Sequence, residues 1–172
     1  MPVEETDAAF SRPEESFGFR LWHVVHAWQR RAEAELAPFN LTFMQYVVLA
    51  ITFWLAHLGE RPTQSRIANF CHIDRMTLSN VVRLLDDKGY VRRCPHPSDP
   101  RANWVALTEV GRTTLLEAKR LMWDAQSAFF GRLGEAGQQA LADQLDTLLR
   151  FEKCIPGSTP ATTDDTLKND GA

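Results

Sequence analysis

The chain has 172 residues, 44% of them hydrophobic, and a formal net charge of −3. That length suits one domain, or two small lobes, with ample apolar side chains for a core. Its three cysteines, Cys71, Cys94 and Cys154, are scattered and odd in number, which excludes a disulfide framework and makes a reducing, cytoplasmic setting the expectation.

Residues 1–12 lack periodicity and are expected to form a disordered arm; no charged-then-apolar leader opens the chain. A helix is predicted over 13–37, with Phe17, Leu21, Trp22, Val25, Trp28 and Leu36 as apolar positions. The stretch 43–58 is apolar almost all round, as for a helix wrapped by protein on several sides. Interrupted by Gln45, Thr52 and His57, it is too short and too broken for a membrane span.

Thr63, after Pro62, is a good N-cap for a short helix over 64–70, with Ile67 and Ala68 inward. A break at 71–73 follows. Asp74 then caps a helix over 75–88, where Leu78, Val81, Val82 and Leu85 recur at three- and four-residue spacing as a buried stripe. Arg75, Met76, Thr77, Ser79, Asn80 and Arg83 form its donor-rich outer side. Lys88-Gly89 ends it with a cation on the negative pole and a residue that accepts positive φ. Strands are predicted over 90–93 and 103–107, around a loop in which Pro95, Pro97 and Pro100 present Arg101. Thr108 caps a long helix over 109–130, residues 131–134 break it, and 135–151 form the last helix. There Leu141, Leu145, Leu148 and Leu149 make a stripe that suits a partner helix and suits internal packing nearly as well. The polar segment 152–172 is expected to be a disordered tail.

Two short helices with a tight break, followed by two strands, are the order of a winged helix-turn-helix, whose second helix enters the major groove of DNA. The charge agrees. Residues 60–112 hold nine Lys and Arg against six Asp and Glu, a surplus of three in an acidic chain. The expected major-groove residues are Arg75, Thr77, Ser79, Asn80 and Arg83: Asn80 suits adenine, and Arg83 suits guanine or phosphate. Arg93 joins them from the first strand. Arg101 is expected in the minor groove, with Asp99 fixing its rotamer. Ser65, Ser79 and five histidines come with no nucleophile elbow, phosphate loop or paired-carboxylate pocket, so neither an enzyme nor a cofactor is expected.

Leu41-Thr42 with Gln45, Ile67-Ala68, Asp74-Arg75-Met76-Thr77-Leu78-Ser79, Leu85-Asp86-Asp87-Lys88-Gly89-Tyr90-Val91, Asp99-Pro100-Arg101 and Leu107-Thr108-Glu109-Val110-Gly111 follow one another at a specific spacing. In this order they resemble the MarR family, the multiple-antibiotic-resistance-regulator type of bacterial transcription factor, over about residues 14–151. The resemblance implies a mainly α fold: a winged helix-turn-helix DNA-binding lobe (41–112) and a helical dimerisation lobe built from the N- and C-terminal helices (13–40 and 113–151). It implies an obligate homodimer on double-stranded DNA, with a pseudo-palindromic operator, and often a repressor released by a small ligand. Two positions depart from the family pattern. His72 stands where Gly is usual in the turn, and the wing reads Asp99-Pro100-Arg101 where Asp-Arg-Arg is usual.

Trp22, His23 and His26, with Trp54 and His57, form a candidate site for a small aromatic or anionic effector, with rings for stacking and imidazoles for hydrogen bonds. The same residues suit an aromatic core equally well. Cys71-His72 and Cys94-x-His96 match no strong metal spacing, so no metal is expected; a redox- or metal-responsive regulator using these four residues, or a winged-helix protein-interaction module, is the alternative reading.

Overall fold

The computed structural model describes residues 12–96 and 99–151, so the expected arm, apart from Arg12, and the tail lie outside the described residues. Six helices and one two-stranded sheet follow in order: α1 (Phe17–Leu36), α2 (Phe43–His57), α3 (Gln64–Cys71), α4 (Arg75–Asp87), β1 (Val91–His96), β2 (Asp99–Leu107), α5 (Glu109–Phe130) and α6 (Gly134–Phe151).

Side-chain caps set most of the helix starts. Pro13–Glu15 form a 3-10 turn, and α1 begins only after Ser16, whose hydroxyl accepts the Phe19 N–H. Thr42 and Gln45 open α2 with a reciprocal capping box, both bonds at 3.2 Å. Thr63, Asp74 and Thr108 accept the N–H three residues on and open α3, α4 and α5. His72 closes α3 with φ 52°, taking the left-handed conformation that glycine usually supplies there. Gly89 does the same after α4 with φ 72°.

Both strands run longer than the sequence predicts. Pro95 and Pro100 lie inside β1 and β2 rather than in the loop. The missing proline N–H is tolerated because a two-stranded ribbon leaves each strand a free edge. Val91 pairs with Leu107 and Cys94 with Trp104, and the register shifts after Pro95. On the other edge of β2, the Val105 N–H donates to the Pro62 carbonyl at 2.9 Å, and Thr63 bridges Trp104. The wing is thereby tied to the segment that leads into α3.

Helix α2 is the hub and packs on α1, α3, α4, α5 and β2. Leu36, Val48, Leu49, Leu55, Ile67, Leu78, Val82, Leu85, Val91, Val105 and Leu115 are buried around it. Its one fully buried hydroxyl, on Thr52, donates to the Val48 carbonyl at 2.7 Å, so no polar group there is stranded. Val81, expected in the buried stripe of α4, is only half-buried at the core margin. Helix α6 packs chiefly on the turn at Gly131–Leu133 and leaves Leu145 and Leu148 exposed. Among the described residues no single helix is long and apolar enough to cross a membrane.

Candidate nucleic-acid interface

Helix α4 is anchored on one side and free on the other. Leu78, Val82 and Leu85 are fully buried. At about 100° per residue, the line opposite them runs through Met76, Asn80 and Arg83, with Ser79 beside it. All four side chains are exposed, as are Arg75 and Thr77.

These groups are not equally available. Thr77 donates its hydroxyl proton to Asp74, and the Asp74 carboxylate also accepts the Thr77 N–H at 2.9 Å. The Thr77 hydroxyl, and then its backbone N–H, hold the Asp74 carboxyl below its ordinary pKa. Arg83 reaches Asp87 at 3.3 Å along the helix. Arg93 reaches Asp86 at 3.0 Å, which braces β1 against α4. Such exposed pairs are weak and give way readily to a phosphate. Asp99 and Arg101 lie on β2, but their side chains are outside the described residues.

The aim of α4 is fixed at its far end. The Lys88 ammonium donates to the Asn40 carbonyl and, at 2.9 Å, to Gln45 Oε1; the Tyr90 hydroxyl donates to the Phe39 carbonyl at 3.0 Å. The end of α4 is thus stapled to the corner between α1 and α2. Helix α5 closes on the same turn. Thr108 N–H donates to the Tyr90 carbonyl, and a Cβ built on Gly111 would stand 1.9 Å from that carbonyl oxygen. Only glycine fits this approach without displacing backbone.

A cleft of about 450 Å³ opens between the end of α2, the base of the wing and the start of α5. Phe53, His57, Trp104, Leu107, Glu109 and Arg112 line it. The Arg112 guanidinium lies 5.7 Å from the centre of the Phe53 ring, and Arg61 lies 5.7 Å from that of Trp104. Sequence reasoning missed Phe53, Trp104, Arg61 and Arg112, and no local spacing marks them as neighbours.

The five expected effector residues are divided among three places. Trp22 packs edge-on to His23 and His26, with ring centres 4.9 and 4.3 Å away, on the exposed half of α1. Trp54 packs on Phe70 at 5.1 Å, and His57 lines the cleft. Of the residues named for the redox or metal alternative, Cys71 is half-buried, and burial pushes its thiol up to about 11. That keeps it protonated and unreactive at neutral pH. His72 is exposed, Cys94 is half-buried opposite Trp104, and the His96 side chain is outside the described residues. Among the described residues no three His, Cys, Asp or Glu side chains gather as a metal site.

The MarR family model matches residues 39–102. The HTH-type transcriptional regulator YdcH of Bacillus subtilis is 36% identical over 126 residues, covering 73% of this chain and 86% of that protein. The S. aureus MepR–DNA complex has a similar fold, with a TM-score of 0.72 at 20% identity over 82% of this chain and 99% of its own. So does CouR from Rhodococcus jostii RHA1 bound to p-coumaroyl-CoA, with a TM-score of 0.68 at 23% identity over 86% and 98% of the two chains. Matched by that family model and by YdcH over most of both chains, the chain belongs to the MarR family of DNA-binding, winged helix-turn-helix transcriptional regulators.

Proposed function

We propose that the protein is a cytoplasmic, homodimeric repressor, not an enzyme, that sets its two α4 helices in successive major grooves of a pseudo-palindromic operator. The observation that carries this is the pairing of two exposed surfaces on one chain. One is the donor-rich outer line of α4. The other is apolar: Phe17 is 86% exposed and Trp22 54% on α1, Trp123 is 67% exposed on α5, and Leu148 59% on α6. So much exposed apolar surface on three helices of one lobe calls for a protein partner, and a second copy supplies the same helices. Residues 13–40 and 113–151 then form the dimer lobe and 41–112 the DNA lobe. Arg75, Ser79, Asn80 and Arg83 contact bases and phosphates, with Arg93 behind them. Thr77 offers its methyl group and a lone pair, its proton being held by Asp74. Arg101, supported by Asp99, enters the minor groove.

The effector of this repressor is an aromatic anion bound in the cleft, stacked on Phe53 or Trp104 with its charge on Arg112. CouR, which shares the fold, holds an aromatic acyl-CoA. The cleft touches α2, the wing base and α5, so filling it changes the angle at which α4 is held. By linkage, a ligand releases DNA only if it prefers the spacing that DNA does not.

The test is a salt titration of binding to operator and random duplex, repeated with a panel of aromatic carboxylates. Affinity should fall steeply with salt, and at least one acid should lower operator affinity about fivefold or more. Arg112→Ala should flatten that response. Salt-insensitive binding contradicts the DNA reading; a panel with no effect on affinity or melting temperature contradicts the effector reading.

A further inference from the structure

We propose that Met76 reads the 5-methyl group of thymine in the major groove and so acts as a specificity residue of the operator contact. The inference rests on the docking of α4 proposed above and adds to it an apolar reader among the polar ones. Met76 is 77% exposed at the second position of α4. It stands in line with Asn80 and Arg83, one and two turns on, directly opposite the buried Leu78, Val82 and Leu85. A recognition helix contacts base edges chiefly through its N-terminal residues, so Met76 is the member of that line best placed to reach them.

Two of the polar groups beside it are tied to each other. Asp74 accepts from both the hydroxyl and the N–H of Thr77, so neither side chain has a free proton to offer the bases at this end. What the tip of the helix offers is a thioether next to the cation Arg75, with Arg83 two turns on along the same line, the setting of a polyanion rather than of an apolar protein partner. Of the groups that base pairs expose in the major groove, the thymine methyl is the apolar one. An unbranched methionine has the freedom to settle over it.

The test uses the full chain and an operator selected by the wild type from random duplexes. Each thymine is replaced in turn by deoxyuridine, which removes only the methyl, and affinity is measured for wild type, Met76→Leu and Met76→Ala. At one thymine per half-site, the replacement should weaken wild type and Met76→Leu about fourfold, the equivalent of one methyl group left in water, and should leave Met76→Ala unchanged. A selected half-site without thymine, or uracil effects that are the same in wild type and Met76→Ala at every position, overturns the proposal while the DNA reading stands. Failure of the wild type to enrich any sequence overturns both. Met76 is largely exposed, so an unchanged melting temperature for Met76→Ala assigns its loss to contact rather than folding.

Discussion

Asn80 is exposed in the middle of the outward line of α4, and its amide can donate to and accept from one adenine edge at once. Asn80→Ala should therefore cost about 1–3 kcal/mol on the operator and little on random duplex. Equal losses on the two would show by fluorescence anisotropy that Asn80 anchors without reading. Asp74, the N-cap of the same helix, is structural. Hydrogen bonds from Thr77 favour its charged form, so its folded pKa lies below the unfolded value near 3.8. The stability it adds is complete above that unfolded value and is lost as pH falls through the folded one. An NMR titration should find the Asp74 carboxyl depressed in wild type and moved up toward 3.8 in Thr77→Val. An unchanged value in Thr77→Val would remove the hydroxyl as the leading cause. The N-cap role of Asp74 was legible from its place before an apolar-periodic run. The engagement of Thr77 was not, because a threonine at that position is equally able to face DNA.

Between elements, the start of α5 is closely joined to the turn that follows α4. The Gly111 Cα approaches the Tyr90 carbonyl so closely that a methyl group has no space. Gly111→Ala should destabilise the protein by about 2 kcal/mol or more in urea unfolding, since backbone must move to admit it. Gly18, near the start of α1, has only Ser16 Oγ at 3.8 Å from a built Cβ, so Gly18→Ala should be neutral or stabilising by up to about 1 kcal/mol. A tolerated Gly111→Ala would mean that this joint is looser than described. Periodicity and caps placed α2 to α5 within a residue or so of their ends. Where the sequence misled, local chemistry decided: Ser16 delayed the start of α1, and free ribbon edges let prolines extend β1 and β2. The clamp of Lys88 on Gln45 and Asn40 spans more than forty residues and leaves no local mark; the sequence showed only a cation at a helix end.

Across the whole molecule, positive charge gathers between residues 60 and 112 in a chain of net −3, and apolar exposure gathers on α1, α5 and α6. The winged helix-turn-helix was legible because its parts are contiguous. The cleft was not, because Phe53, Trp104 and Arg112 meet only through packing of α2, β2 and α5. The aromatic stripe of α1 was legible, but its use was open, since a ring facing a partner and a ring facing a ligand have the same spacing. If the stripe faces a second copy, Trp22→Glu should shift sedimentation from dimer to monomer and abolish operator binding. A dimeric Trp22→Glu would place the interface elsewhere. The proposed two-fold dimer delivers two α4 lines to one face of the duplex. Hydroxyl-radical footprinting on the selected operator tests it most directly, with a second operator carrying about half a helical turn between the half-sites. A two-fold dimer should give two symmetric protected zones whose centres lie about 10 base pairs apart, and lose the footprint in the spaced operator. A single asymmetric zone, or protection that survives the added half-turn, would contradict it.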